Sequence, residues 1–166
     1  MRRLPKRPVA FANANAGSKL FICATPVTTY PMTASALAAL TWVEIKGLGS
    51  HGEGGSSTNI LTYDTWDTDV VQKAKGMTDA GSPEIELARD NADAGQNALR
   101  AAAKDNRNYA FKMERNDKIT TAGRPTTIYN IGIVTGPRRP FGRNEDFDLE
   151  VFTLGFNTLE VVVAAT

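Results

Sequence analysis

Six residues in the first half of the chain spell a nucleotide-binding signature. Gly47-Leu48-Gly49-Ser50-His51-Gly52 fits G-x-G-x-x-G and follows Trp42–Lys46, which reads as a strand. In a dinucleotide site a helix must begin at this point, because its free amide groups hold the pyrophosphate. Glu53-Gly54-Gly55-Ser56-Ser57 comes instead, and no helix starts in such a run. His51 is the only histidine and Cys23 the only cysteine. A Ser-His-Asp site needs its histidine held rigidly, which a glycine-rich segment does not do. One Cys and one His are too few for zinc. Asp64, Asp67, Asp69 and Asp79 are hard oxygen donors, but their spacing lacks the glycine and glutamate of a calcium loop. They read as solvated turn acids, as do Glu145, Asp146 and Asp148. Arg138, Arg139 and Arg143 form a basic turn whose expected use is ion pairing with nearby acids, within the chain or between copies. No catalytic residue, cofactor or metal is expected.

The elements around these residues are mostly strands. Lys19–Ala24 is apolar on both faces, and Trp42–Lys46 puts Val43 and Ile45 on one side. Ile85 and Leu87 alternate with Glu84 and Glu86, and Tyr109, Phe111 and Met113 with Lys112 and Glu114. Thr126–Thr135, Phe147–Phe156 and Leu159–Ala165 complete the set, with Ile60–Tyr63 also extended. Within Phe147–Phe156 the apolar phase moves from Phe147, Leu149 and Val151 to Phe152, Leu154 and Phe156, which predicts a bulge or burial of both faces. One helix is expected at about residues 92–104, capped by Asp90 or Asn91 and packing Ala92, Gly95, Leu99, Ala102 and Ala103. The fold class is therefore mainly β, a sandwich or barrel with one flanking helix.

Composition sets the organisation. A chain of 166 residues suits one domain with a real core. Residues 1–43 hold Arg2, Arg3, Lys6, Arg7 and Lys19 and no acid, so a basic arm, residues 1–17, precedes a mildly acidic domain, residues 18–166. The lone Cys23 lies in an apolar run and reads as a buried, inert thiol, in keeping with a reducing cytoplasm. No signal peptide or membrane span is expected. Residues 47–59 carry five glycines and read as one long flexible loop, of a length that is usually functional inside a compact domain.

The order of these features resembles the tail tube (major tail) proteins of long-tailed phages. The pattern comprises Trp42-Val43-Glu44-Ile45, the glycine-rich segment 47–59, Thr62-Tyr63-Asp64-Thr65, and Lys73-Ala74-Lys75-Gly76-Met77-Thr78-Asp79-Ala80-Gly81. Glu84–Arg89 and the helix opening Asp93-Ala94-Gly95-Gln96 follow, and the match runs from about Trp42 to Phe156. The resemblance implies a non-enzymatic virion protein, made in the host cytoplasm, that closes into hexameric rings stacked as a hollow tail tube. Implied partners are further copies of itself, the tape measure protein, the tail terminator and distal tail proteins. DNA transits the lumen without sequence-specific binding. The ring-stacking residues it implies are Gly47, Leu48, Gly49, His51, Glu53, Ser57 and Asn59, with Arg2, Arg3, Lys6 and Arg7 of the arm. Related alternatives are a connector, the inner tube of a contractile tail or a type VI secretion tube. A β-sandwich binding or hydrolase domain rests only on the scattered carboxylates.

Overall fold

The computed structural model describes residues 14–166, so Arg2, Arg3, Lys6 and Arg7 of the basic arm lie outside the described residues. The described chain runs β1 (Lys19–Cys23), α1 (Ala34–Ala38), β2 (Trp42–Ile45), β3 (Leu48–His51), β4 (Ser57–Tyr63), β5 (Gln72–Asp79), β6 (Glu84–Ala88), α2 (Ala94–Ala102), β7 (Tyr109–Glu114), β8 (Thr127–Arg138), β9 (Leu149–Phe156) and β10 (Val161–Val163). It is mainly β with a flanking helix, as the alternating patterns predict. The main sheet has the order β2-β1-β7-β8-β9-β6-β3, and β10 adds to β8. Every pairing in it is antiparallel.

That order forces the sheet to curl. Strands β2 and β3 sit at its two edges, yet only Lys46 and Gly47 separate them in the chain. Three Cα steps from Ile45 to Leu48 span at most about 11 Å. Seven strands laid flat would hold their outer members roughly 29 Å apart. The edges must therefore face each other, and the sheet becomes a barrel with a seam. The bend lies in β8. Its first half pairs with β7 and β10, and its second half with β9. Gly132 marks the crossover: a Cβ there would lie 2.1 Å from the Gly155 carbonyl oxygen.

Helix α2 closes the seam. A Cβ on Gly95 would lie 2.1 Å from the Glu44 carbonyl oxygen, so the helix rests on the backbone of β2. Asp93, not Asp90 or Asn91, is the N-cap. Its carboxylate accepts the Gln96 amide at 2.9 Å and the Lys46 amide at 3.3 Å. Gln96 is fully buried and uses all its hydrogen-bonding capacity. Its Nε2 donates to the carbonyls of Lys46 (2.8 Å) and Ala88 (2.9 Å), and its Oε1 accepts from the Asp90 amide (2.9 Å) and Arg100 Nη2 (3.0 Å). The two-residue link is thus tied to the end of β6. Gly47 completes the join with φ +76°, and its carbonyl accepts the Ala88 amide at 2.8 Å.

The barrel is filled by Leu20, Ile22, Ile45, Ile85, Leu87, Phe111, Val134, Phe152 and Leu154, capped by Leu99 and Ala102 of α2. A second cluster lies on the other face of β1, β7 and β8, where Leu37 of α1 covers Cys23, Ala110, Tyr129 and Ile131. Cys23 is a buried free thiol.

Two further expectations are corrected. Residues 47–59 are not one loop: Leu48–His51 forms β3 on the free edge of β6, and Ser57 already begins β4. Glycine lowers strand propensity, but a waiting ladder of backbone partners and the packing of Leu48 on the core offset that loss. Strand β9 also keeps one phase. Glu150, Phe152 and Leu154 all point inward, and the irregularity falls in β8, between Thr135 and Arg138. The apparent slip arises because an inward position holds a glutamate.

Replacing Gln96 with alanine strips the Lys46 and Ala88 carbonyls and the Asp90 amide of partners. It should destabilise the domain by on the order of 3 kcal/mol, read as a lower denaturant midpoint at unchanged slope. Gln96→Glu should fare no better, because it sets an acceptor against two carbonyls. A midpoint within error of the parent in either variant would show that the seam does not depend on this side chain.

Candidate assembly interface

Strands β4 and β5 form a separate two-stranded antiparallel sheet that pairs only with itself. The register places Ile60 opposite Lys75, Leu61 opposite Ala74, Thr62 opposite Lys73 and Tyr63 opposite Gln72. Side chains alternate between faces, so Ile60 lies on one side and Leu61 and Tyr63 on the other. Neither side is covered. Ile60 is 63% exposed, Tyr63 72%, Met77 88% and Trp66, at the tip, completely. Two strands without a core are marginal in water. Here the hairpin also carries Leu61, Val70 and Val71 into solvent. The Thr58 and Thr78 hydroxyls bond across the stem at 2.8 Å, and the Thr65 and Thr68 hydroxyls bond in the tip at 2.9 Å. Asp67 sits in that tip, and the Thr65 hydroxyl holds its carboxyl below the usual range.

The residues singled out in the sequence fall into two groups. Gly47, Leu48, Gly49 and His51 belong to the barrel, at the seam and in β3. His51 Nδ1 lies 2.9 Å from the Gly52 carbonyl oxygen, so its ring is occupied by backbone. It borders an open cleft of about 690 Å³ at the barrel mouth, shared with Leu20, Leu48, Phe111, Met113 and Phe156. Glu53 is exposed between β3 and β4, while Ser57 and Asn59 lie on the hairpin. No helix follows Gly47–Gly52, so the glycine motif has no phosphate cradle. Asp64, Asp67 and Asp69 share the tip, and no cluster of three or more metal-ligating side chains occurs among the described residues. The second strand of the hairpin, β5, escaped the sequence patterns. Its signal was weak alternation: Lys73 and Lys75 on one face, Ala74 opposite, and a bulge where Gly76 and Met77 face Asn59.

A second exposed feature follows β8. The segment from Arg139 to Asp148 joins β8 to β9 and presents Phe141 (88% exposed) and Phe147 (81%). Its root is a buried ion cluster. The Glu150 side chain is entirely enclosed and accepts Arg100 Nε at 2.7 Å and Arg139 Nε at 3.0 Å, with Arg89 Nε at 3.8 Å. Arg89 also meets Asp148 at 3.0 Å. Arg138 pairs with Glu84. Arg138 and Arg139 therefore do form ion pairs, but across strands rather than with Glu145 and Asp146, whereas Arg143 forms none among the described residues. Burial pushes the Glu150 carboxyl up, but hydrogen bonds and charge from Arg100 and Arg139 outweigh it and hold the group below its ordinary 4.5.

No protein-family model and no curated protein matches the sequence. Solved structures do share the fold. A chain from the anti-feeding prophage baseplate, determined by cryo-EM with six-fold symmetry, superposes with a TM-score of 0.66 at 5% identity, over 94% of this chain and 98% of that one. A chain from the sheath/tube terminator of an extracellular contractile injection system, in the extended state, gives 0.65 at 9% identity, over 94% and 99%. The likeness thus spans nearly the whole of each chain.

The ion cluster gives the fold a defined response to acid. A carboxyl depressed by folding contributes its full stability above the ordinary 4.5 and loses it as pH falls through the lower folded value. Stability should therefore decline below about pH 4.5. Glu150→Gln should cost on the order of 3 kcal/mol at neutral pH, because Arg100 and Arg139 lose their counter-charge, and should flatten the acid decline. Some slope remains from Asp105, which Arg107 and Tyr109 hold at about 2. Equal acid slopes in parent and variant would remove Glu150 from this role.

Proposed function

We propose that the chain is a structural subunit of a phage-type tail, and more specifically a tail tube protein. In this reading copies close side by side into hexameric rings, and the rings stack into a hollow tube for DNA. The hairpin β4–β5 carries the proposal. Its apolar side chains are open on both faces, and it has no core of its own, so a neighbour that covers it supplies the missing stability. An exposed patch matched to a different surface on the next copy makes a heterologous contact, and such contacts generate rings or filaments. The near full-length likeness to chains of a baseplate and of a sheath/tube terminator supports a place in the same class of machine. The protein then resides in the tail of the particle, acts without catalysis, and meets the tape measure, terminator and distal tail proteins. Ser57 and Asn59, on the hairpin, join the candidate contacts directly. Gly47, Leu48, Gly49 and His51 act by holding the hairpin's root.

A second reading comes from the same two structures. One is a chain of a prophage baseplate and the other of the sheath/tube terminator of a contractile injection system. A single terminal or baseplate ring is the alternative to a repeated tube ring. Copy number distinguishes them: a tube protein recurs along the whole tail, whereas a terminal ring occurs once.

Two outcomes are expected. Electron microscopy of the purified chain, with tail-initiation proteins supplied, should show rings or tubes. Persistent monomers under all conditions would end the proposal. Replacing Ser57–Asp79 with a short glycine linker should leave cooperative unfolding intact and abolish assembly. The root permits this excision, since a Cβ on Gly81 would lie 2.5 Å from the Gly55 carbonyl oxygen and the two ends already touch. An excised protein that no longer unfolds cooperatively would show that the hairpin is part of the domain's own fold.

A further inference from the structure

The hydrophobic core is incomplete at one mouth of the barrel. Beneath α2, Leu87 and Leu99 are wholly buried. Leu48, Met113, Ile128 and Phe156 stay only half-buried, because they floor the open cleft of about 690 Å³. Strand β3 lines that cleft and pairs with β6 alone, so its other side offers backbone groups to a further strand. Residues 15–18 line it too.

That short segment sets the direction of the chain before it. The Ser18 amide donates to the Asn15 carbonyl at 3.1 Å, and Gly17 has φ +84°, which together make a tight turn with a left-handed third residue. Asn116 pins the turn. Its Nδ2 donates to the Ala16 carbonyl at 2.8 Å, and its backbone amide donates to the Ser18 hydroxyl at 3.3 Å. The chain thus reverses immediately ahead of β1, and whatever precedes the turn is sent back toward the barrel at the rim of the cleft.

The preceding sequence divides at Pro8. Arg2, Arg3, Lys6 and Arg7 all come before it, and Val9-Ala10-Phe11-Ala12 follows without a charge. Val9 and Phe11 fall on one side of an extended segment. Four Cα steps join Phe11 to Asn15, a reach of at most about 14 Å. Proline has no amide to pair, which ends the strand-forming run at Pro8.

We propose that residues 9–12 of each copy fold back into that copy's own cleft, pair along β3, and seat Val9 and Phe11 on Met113, Ile128 and Phe156. The seat completes the core at this mouth and covers β3 against pairing with another chain. The four cations beyond Pro8 stay outside the cleft. No second copy is needed, so the seat stands or falls independently of the assembly reading.

Amide exchange and methyl spectra of the full chain in dilute solution test it. Val9→Asp combined with Phe11→Asp should speed exchange at residues 48–52 by about tenfold or more and leave helix α2 unchanged. Phe11→Leu should keep the protection but shift the Met113 and Ile128 methyl signals, which lose the ring beside them. The Leu37 methyls, on the other face of the sheet, should not move. Unaltered exchange in the double variant, or Met113 and Ile128 signals indifferent to Phe11, would overturn the seat. Protection in the parent that disappears on about hundredfold dilution would give the cleft to a second copy's arm and overturn the same-copy assignment.

Discussion

The side chain of Gln96 holds together two places that the chain order would otherwise leave apart. Strands β2 and β3 are neighbours in sequence and opposite edges in the sheet. The sheet can close only if the short link at Lys46–Gly47 is anchored where β6 ends, and Gln96 bonds both partners, the Lys46 and Ala88 carbonyls. Because it is fully buried, each of its bonds replaces one that water would have made, and leaving any unmade is costly. Gly95 lets the helix approach β2, and Asp93 caps the helix while accepting the Lys46 amide. Cap, contact and clasp come from four consecutive residues.

A closed barrel changes what its appendages can do. With its own edges paired or covered, the domain has little need of the hairpin for stability. The hairpin is free to expose apolar side chains on both faces, which a core element could not do. Its root is nevertheless rigid, since the Gly52 amide donates to the Glu84 carbonyl at 2.7 Å. The loop before β9 is rooted by Glu150 and its three arginines. A buried carboxylate is a poor way to gain stability compared with an apolar side chain. What it gives here is position: Arg139 is pulled inward, so the residues after it turn outward.

Several strands were legible because their environments differ by face. Ile85 and Leu87 alternate with glutamates, and Tyr109, Phe111 and Met113 with Lys112 and Glu114; each buries one side against the barrel interior. Helix α2 was legible from its small apolar face, although its start moved to Asp93 because Gly95 must meet the Glu44 backbone. Strands β3 and β5 were not legible. Pairing on the edge of β6 makes Leu48–His51 a strand despite its glycine, and mutual pairing alone makes β5 one. Nothing local in either segment encodes the partner. The candidate site divides in the same way: glycines 47 and 49 stood out by composition, whereas the hairpin they lead to emerges only from pairing Ser57–Tyr63 with Gln72–Asp79.

By itself the sequence determined the strand-rich class and the flanking helix α2, because periodicity and helix-start chemistry are local. It also marked Asp93-Ala94-Gly95-Gln96 as a polar opening to that helix. Only the tertiary structure decided that Gln96 closes a seam and that Glu150 faces inward. It also showed that Arg138 reaches back to Glu84, at the root of the hairpin. Those facts depend on which strands become neighbours, and neighbourhood is set by the whole sheet closing on itself rather than by any stretch of residues within it.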